Sequence, residues 1–468
     1  MKNITKIIIV ALACLILGIY TPAFATVINI PEDYATIQAG VEASTQGDTI
    51  LVQPDIYIEN VSIIEHGVTL GSLFLTTGDT SFISTTIIDG DSLDTVVRIG
   101  IWSSDDITST LTGFTIRNGN ANYGGGGINI HGEPTISHNI ICNNATTRGG
   151  GIFVSGSPII ENNLITENHV TVAGGGIVSY GGACVIRNNV IVNNASDHYG
   201  GGIHIEDSEM VAISGNTISN NTANNGGGIN FHGEGMGGMV TYNLISGNTA
   251  NMHSAMALSY ANYFFTNNTI VDNSYNAEGI HFYSYCNSIL TNNVIWNNAD
   301  TEILVYPDGS VNITYCDIQG GWEEGEHNID TDPLFCDPEI DDYSLAENSP
   351  CAGAGFQGAD IGAYGIGCDA TDMENELSGL PALFGLNQNY PNPFNAKTSI
   401  HFELNEPSHV KLEIYNLLGI RIKTLINSRI EAGTHTVNFD ASGLSSGIYI
   451  YNLQSGDYSS TKRMVLLK

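Results

Sequence analysis

Apolar and polar residues alternate along most of this chain in short runs that recur at a nearly fixed spacing. Between residues 200 and 219, three glycines precede the alternating run Ile203, His204 and Ile205, and further apolar runs follow around Ile213 and Ile218. A period of two predicts β-strands, and no helical run lies between them. We therefore expect each repeat to contain several short strands separated by turns.

Two sequence markers repeat in step along residues 120–300. One is a glycine run followed by isoleucine, at Ile128, Ile152, Ile177, Ile203 and Ile229. The other is a pair of asparagines five residues apart, which starts at Asn139, Asn163, Asn189, Asn216, Asn243, Asn268 and Asn293. A spacing of this kind predicts a solenoid, in which each coil buries its apolar side against its neighbours and stacked strands form parallel sheets at about 4.8 Å per coil.

The repeated glycines and asparagines suit the turns of such a coil. Glycine reaches positive φ and has no Cβ to crowd the next coil, whereas asparagine tolerates the left-handed conformation and its amides can hydrogen-bond along a stack. No Gly-Lys-Ser/Thr sequence follows the glycines, so a phosphate-binding loop is excluded. We interpret both markers as architectural.

The first residues predict an export signal. Lys2 and Lys6 precede an apolar run over 7–20, and Ala23-Phe24-Ala25 follows, so residues 1–25 are interpreted as a secretory signal peptide. The rest of the sequence has no apolar segment long enough for a transmembrane helix. We expect no transmembrane segment in the mature protein.

Charge divides the chain into two parts and limits its partners. Residues 26–370 contain 39 acidic and four basic residues, whereas residues 371–468 contain nine and eight, within a total net charge of −34. An acidic body excludes nucleic acid, because phosphate contacts need clustered Lys and Arg. It also disfavours anionic polysaccharides unless calcium bridges the charges, which leaves neutral glycans and divalent cations as partners.

The cysteines indicate an oxidising compartment. Cys336, Cys351 and Cys368 lie just beyond the repeats, where one disulfide could close the end of the solenoid, with the pairing left open. The cysteines within the coils are interpreted as buried thiols; these are Cys142, Cys184, Cys286 and Cys316.

Both ends of the acidic body resemble one family. A short helix is predicted near Tyr34–Ser44, and the run IPEDYATIQ followed by GDTILVQPDIYIEN resembles the start of secreted right-handed parallel β-helix proteins with the pectin lyase fold, although Asp55 stands where glycine is usual. The segment NIDTDPLFCDPEIDDYSLAENSPCAGAG with ADIGAYG resembles the closing segment of such proteins. The resemblance implies an all-β solenoid over residues 26–370, capped by 26–48 and closed by 328–368. It leaves activity open, since the superfamily includes lyases, hydrolases and proteins without known catalysis.

The C-terminal segment resembles another family. Alternating runs in residues 387–468 predict a small β-sandwich, Ig-like in type, after a linker over 371–386. The sequences NYPNPF from Asn389, YNLLG from Tyr415, GIY from Gly447 and KRMV from Lys462 resemble the C-terminal sorting domain of the type IX secretion system. The resemblance implies export by that machinery to the outer-membrane surface or the surroundings of a Gram-negative bacterium.

One outward strand face carries the candidate binding residues. If the isoleucine after each glycine run points inward, residues one and three positions further on point outward. These positions, with some placed by looser alignment, give a ledge of aromatic and polar side chains able to hold an extended sugar chain: His131, Tyr180, His204, His232, Tyr260, His281 and Tyr283.

The same face offers candidate catalytic carboxylates. Side chains on neighbouring coils lie about 5 Å apart, close to the spacing of a retaining glycosidase pair, and this indicates Glu206 or Asp207 with Glu234. No lysine lies between Lys6 and Lys397, which disfavours a lyase that needs a basic proton acceptor. The leading hypothesis is a surface carbohydrate-binding or adhesive protein; a polysaccharide hydrolase or lyase and a structural protein without ligand stay open.

Calcium is the one cofactor that the sequence suggests. Asp89, Asp91 and Asp94 cluster in the segment DGDSLD, and clustered oxygen ligands are what calcium needs. The spacing does not match an EF-hand loop, and solvated acidic turns are the alternative.

Overall fold

The computed structural model of the chain is a long parallel β-solenoid of about 13 turns followed by smaller sheets. It describes residues 25–101, 107–208, 210–273, 278–369, 385–386, 389, 391–392, 394–404, 407–416, 421–444, 447–455 and 458–466. The predicted signal peptide lies outside these residues. The parallel solenoid and the all-β class confirm the prediction from the repeats.

Each coil crosses up to four sheets in a fixed order, beginning after the glycine run. Sheet 1 and sheet 2 are joined because two long strands, Ile229–Thr241 and Met256–Thr266, run through both. The other strands of sheet 1 are Val61–Ile63, Val97–Ile99, Ile128–Ile130, Ile152–Val154, Ile177–Tyr180, Ile203–Glu206, Ile280–Phe282 and Ile303–Val305. Those of sheet 2 are Val27–Ile30, Thr49–Val52, Thr69–Ser72, Thr110–Thr112, Thr135–Ser137, Ile159–Glu161, Val185–Arg187, Met210–Ser214, Asn287–Thr291 and Ser310–Thr314.

Sheets 3 and 4 complete the coil. Sheet 3 contains Ile56–Ile58, Ile87–Asp89, Thr115–Arg117, Ile140–Cys142, Leu164–Thr166, Val190–Val192, Thr217–Ser219, Leu244–Ser246, Thr269–Val271, Val294–Trp296 and Asp317–Ile318. Sheet 4 is short and contains Ala145–Arg148, His169–Ala173, Ala195–Ser196, Thr222–Asn225 and Thr249–Met252. The isoleucines that follow the glycine runs are fully buried in the core, as predicted.

The paired asparagines form two hydrogen-bonded ladders inside the turns around sheet 3. In the first ladder the backbone N–H of Asn189 donates to Oδ1 of Asn216, and Asn216 donates in the same way to Asn243. The ladder residues do not adopt the left-handed conformation that we expected of them. The preceding residue does, for example Asn188 with a φ of 54°, because it makes the bend while the ladder amide points into the stack.

A helix covers the first coil, and a small sheet packs on the side of the later coils. The helix Ile37–Ala43 begins after the N-cap Thr36, whose side chain accepts from the backbone N–H of Ala39, and it packs Ile37 and Val41 on the first coil. The sheet of Phe335–Asp337, Asp342–Ala346 and Ile366–Cys368 packs against the outer face of sheet 3, at Leu244, Val271 and Val294, and it holds the disulfide Cys336–Cys368, which resolves the open pairing. Helices Phe74–Thr77 and Ser81–Thr85 and the 3₁₀ turns Pro338–Ile340 and Phe356–Gly358 complete the body.

The thiols within the coils follow the prediction closely. Cys184, Cys286 and Cys316 are buried, and Cys142 is partly buried.

The C-terminal segment forms two antiparallel sheets around one apolar core. One contains Gly385–Leu386, Lys397–Leu404 and Gly433–Asp440; the other contains Ser408–Asn416, Arg421–Ile430, Gly447–Ser455 and Tyr458–Leu466. The β content agrees with the prediction, and the Ig-like arrangement stays a prediction.

Candidate functional site

A concave corner runs along the solenoid between sheet 4 and sheet 1, at the glycine runs. The first glycine of each run has a positive φ, for example 60° at Gly200 and 66° at Gly226, and this conformation bends the chain sharply between the two sheets. A Cβ on Gly200 would lie 2.9 Å from the Cβ of His204. The turn therefore sets the outward side chains of sheet 1 directly against sheet 4. We call the resulting surface the corner groove.

Two columns of outward side chains from sheet 1 line the corner groove. The strand register stacks Val178, His204, Asn230, Ala257 and His281 in the inner column. These side chains are almost fully buried, with His204 3% exposed. The outer column stacks Tyr180, Glu206, His232 and Ser259, with Tyr283 on the next coil.

The flat ledge expected from the sequence is therefore wrong in shape. The inner column does point away from the solenoid core, but neighbouring rings cover it, Tyr199 over His204 and Tyr306 over His281. His204 and His281 belong to this covered column, and His131 of the outer column is also buried, 7% exposed, with a hydrogen bond between its Nδ1 and Ser155. Tyr180 and His232 are exposed as expected.

Tyr260 does not occupy the ledge position that we gave it. Ser259 pairs with His232 in the register, and Tyr260 lies one residue further on, with a φ of 57°. No glycine run precedes this coil, so the sequence offered no marker for the alignment. The Tyr260 ring stacks on Tyr285 at 5.5 Å and stays close to the groove through His232, with ring centroids 6.4 Å apart.

The corner groove contains a cavity of about 270 Å³ over the coils from Ile203 to Ile280. Its lining combines aromatic rings, imidazoles and amides: Arg148, Tyr199, His204, Glu206, Asn225, Asn230, Phe231, His232, Ala257, Leu258, Ser259 and Tyr283. Sheet 4 and the turn after it supply Arg148, Tyr199 and Asn225, whereas sheet 1 supplies the rest.

Glu206 is the centre of a polar network in this cavity. Its carboxylate forms an ion pair with the Arg148 guanidinium and lies 3.4 Å from Nε2 of His204. The hydrogen bond from His204 and the charge of Arg148 lower the pKa of Glu206 to about 2, although burial opposes this. Burial lowers the pKa of His204, and the Tyr199 ring stacks on that imidazole at 6.0 Å. Glu206 is thus an ionised carboxylate held in place.

A second cluster lies at the far end of the cavity. His253 Nδ1 lies 3.1 Å from a carboxylate oxygen of Glu278, and its Nε2 lies 2.8 Å from the Tyr283 hydroxyl. His281 Nδ1 approaches both ring nitrogens of His253, at 3.2 and 2.9 Å. Burial lowers the pKa of His253, and burial with the neighbouring His253 lowers the pKa of His281 to about 4. Both imidazoles are therefore neutral at pH 7.

Comparison with known proteins identifies two parts of the chain. Residues 74–250 match the family described as right handed beta helix region, and residues 388–467 match the secretion system C-terminal sorting domain. The chain is a right-handed β-helix protein with a C-terminal sorting domain. None of the curated proteins or solved structures compared with it matches.

The sorting domain determines where this β-helix protein acts. It points to export by the type IX secretion machinery, and hence to the cell surface or the surroundings of the cell. Among the residues that the structure describes, no helix has the length and apolar character needed to cross a membrane.

Glu206 and Asp207, two of the candidate catalytic residues, lie at the end of one strand of sheet 1. The residue beside Glu206 on the next coil is His232. Asp207 lies in the exposed turn after the strand, with a φ of 48°. The side chain of Glu234 lies outside the described residues, so the pairing with Glu234 stays a prediction.

Calcium binding at Asp89, Asp91 and Asp94 stays a prediction, and two of these carboxylates already have partners within the chain. The Asp89 carboxylate accepts hydrogen bonds from Arg117 Nε at 2.8 Å and from the side-chain amide of Asn118, and Asp94 lies 3.7 Å from Arg98. Within the described part of the chain, these three carboxylates do not converge as a set of metal ligands. Arginine side chains thus pair with Asp89 and Asp94, two of the three carboxylates of this segment.

Sequence reasoning missed the sheet 4 side of the groove. Arg148, Tyr199 and Asn225 each immediately precede a glycine run, so a search of that position in the repeat would have found them. His253 was missed for a related reason. It occupies the place of the left-handed glycine, with a φ of 56°, in a coil that lacks the glycine run.

Proposed function

We propose that this exported β-helix protein binds neutral polysaccharide along the corner groove. The observation that carries the proposal is the cavity between sheet 1 and sheet 4, where tyrosine rings stand beside amide, imidazole and carboxylate groups. Sugar rings need an apolar face to rest on and hydrogen-bonding groups at their edges.

The aromatic side chains suit an extended ligand. The backbones that carry Tyr199 and Tyr283 lie three coils apart. This corresponds to about 14 Å along the stack at 4.8 Å per coil. Tyr199 is 45% exposed and Tyr180, one coil earlier on the outer column, is 40% exposed. A ligand with several sugar units could contact these rings at the same time, and the repeat would add contacts on either side.

Charge favours a neutral ligand. The cavity lining contains one cation, Arg148, and one anion, Glu206, and they pair with each other. The body around them carries 39 acidic and four basic residues over 26–370. A polyanion would meet repulsion without a free cation in the cavity to offset it, because the guanidinium is already engaged.

The state of Glu206 argues against a role as the general acid of a glycosidase. A glycosidase general acid needs a raised pKa so that it carries a proton at the working pH. The pKa of Glu206 is instead lowered to about 2, and its oxygens are held by Arg148 and His204. Such a carboxylate can accept hydrogen bonds from sugar hydroxyls.

Affinity gels with matched polymers test the proposal. The full-length protein would run through native gels that contain a neutral plant, algal or microbial polysaccharide or the carboxymethylated form of the same polymer. We expect retardation by at least one neutral polymer, weaker retardation by its charged form, and no release of reducing ends. Equal retardation by both forms would contradict the charge argument, and new reducing ends would make the protein an enzyme.

A further inference from the structure

We propose that His253, Glu278 and His281 form a binding site for a divalent transition metal, best suited to zinc, at the end of the corner groove. The three side chains come from neighbouring coils, and one ligand atom of each lies within 4.8 Å of the others. The site is separate from the acidic segment in which the sequence suggested calcium.

The distances already resemble a coordination shell. Zinc bonds to nitrogen and oxygen at about 2.0–2.2 Å, so two ligands of a tetrahedral site lie about 3.3–3.5 Å apart. His253 Nδ1 lies 3.2 Å from His281 Nδ1 and 3.1 Å from a carboxylate oxygen of Glu278. Small side-chain rotations would bring the three atoms to a common ion. Two imidazoles and one carboxylate would supply three of the four ligands of a tetrahedral zinc site.

The donor types select the metal. Imidazole nitrogen suits zinc, copper and nickel, whereas calcium and magnesium require a shell of oxygen ligands. The acidic body also raises the local concentration of any divalent cation. We therefore expect zinc to bind in the presence of a large excess of calcium.

His253 has the environment of a metal ligand. Its Nε2 lies 2.8 Å from the Tyr283 hydroxyl, so the tautomer with a proton on Nε2 would turn the Nδ1 lone pair toward Glu278 and His281. A ligating histidine usually has such a partner on its other nitrogen, which fixes the ring. The Tyr283 ring also stacks on His281 at 4.0 Å and limits rotation of that imidazole.

Two further observations point to a missing partner. His281 is 4% exposed, and its Nδ1 faces the nitrogens of His253, an arrangement that can share one proton at most. The repeat also departs from its pattern here, since His253, Ser254 and Ala255 replace the three glycines of the preceding coil. A cation would replace the nitrogen-to-nitrogen contact with two coordinate bonds.

Competitive zinc titration of the untagged full-length protein tests the site. The protein would first be stripped with a chelator and then titrated with zinc against a chelating indicator, with millimolar calcium present. We expect one zinc per chain. Glu278→Gln and His281→Gln should each weaken binding at least tenfold, whereas His232→Gln, an exposed histidine outside the cluster, should leave the affinity unchanged.

Cobalt(II) provides an independent measurement on the unsubstituted protein. Four-coordinate cobalt with nitrogen ligands absorbs visible light far more strongly than the hydrated ion, so titration should give bands that saturate at one equivalent and disappear with excess zinc. Circular dichroism would check the fold of each variant. If His281→Gln does not fold, Glu278→Gln decides, because that side chain is 36% exposed. Absence of tight binding, or equal binding by Glu278→Gln and the unsubstituted protein, would overturn the proposal.

Discussion

Buried asparagine side chains carry much of the hydrogen bonding in the turns around sheet 3. Asn216 is 1% exposed, and its Nδ2 donates to the carbonyl of Ile186 at 2.9 Å and to Oδ1 of Asn243. Its Oδ1 accepts from both the backbone and the side chain of Asn189. Buried polar groups in native proteins are nearly always paired, and here each residue of the ladder is the partner of the next.

Replacement in the middle of a ladder should therefore be costly. Asn216→Ala would leave the Ile186 carbonyl and the Asn189 N–H buried without partners, at about 1–3 kcal/mol each. We expect a clear fall in the thermal unfolding midpoint. Asn224→Ala, which removes an exposed amide contact to Asn251, is the matched control and should cost less than about 1 kcal/mol. Equal effects would contradict the role given to the ladder.

The Glu206 ion pair predicts a pH dependence of stability. The pKa of Glu206 falls from 4.5 to about 2 in the folded protein, so the ionised carboxylate stabilises the fold above pH 4.5. This contribution is lost as pH falls through about 2. Glu206→Gln should lower stability by about 1–2 kcal/mol at pH 7, discounted for partial exposure of the pair. The difference from the unsubstituted protein should shrink between pH 4.5 and 2 in thermal melts; a constant difference would contradict the assignment.

The left-handed glycine at the start of each glycine run determines where the corner groove lies along the coil. The sequence predicted the strands, their inward isoleucines and the parallel stacking, because alternation and repeat length depend on local geometry. It did not predict that His204 and His281 would be covered. That outcome depends on the direction in which a left-handed glycine turns the chain and on the position of sheet 4 beside sheet 1. The alternation of apolar and polar residues determines neither.

Two glycine substitutions distinguish the loss of stability caused by a steric clash from the loss caused by backbone strain. A Cβ on Gly175 would lie 2.4 Å from the carbonyl oxygen of Gly201 on the next coil, so Gly175→Ala should separate the coils and lower the unfolding midpoint strongly. Gly181 has a φ of 79°, but a Cβ added there would meet no atom within 4 Å, so Gly181→Ala should cost only about 1 kcal/mol of backbone strain. Thermal melts of both variants would check this order, and a reversed order would contradict the stacking argument.

Across the whole molecule, each coil is stabilised by its contacts with the neighbouring coils, and further elements pack on the solenoid near its two ends. The helix Ile37–Ala43 covers the first coil, and the sheet that contains the Cys336–Cys368 disulfide packs against the outer face of sheet 3. In a solenoid each coil contacts its neighbours alone, so damage at one end stays local at first. The apolar pattern of residues 34–44 predicted the helix, whereas the family resemblance implied that residues 328–368 close the solenoid, which stays a prediction.

Removal of the disulfide tests this local behaviour. The bond closes a loop over a sequence separation of 32 residues, which corresponds to about 3–4 kcal/mol in the chain-entropy model. The double variant Cys336→Ser and Cys368→Ser should become sensitive to protease in residues 333–369 while the coils around Asn216 stay protected. Mass spectrometry of early fragments would locate the cuts. Cuts that appear first in the central coils would contradict the local account.

Binding in the corner groove is the central claim, and a comparison of two tyrosine variants tests it most directly. Tyr199 lines the cavity, whereas Tyr242 is 56% exposed at the turn between sheets 2 and 3, outside the groove. In affinity gels with the neutral polysaccharide that retards the unsubstituted protein, Tyr199→Ala should reduce retention at least tenfold. Tyr242→Ala should leave it unchanged. Unchanged retention of Tyr199→Ala, or no retention of the unsubstituted protein by any neutral glycan, would contradict the account.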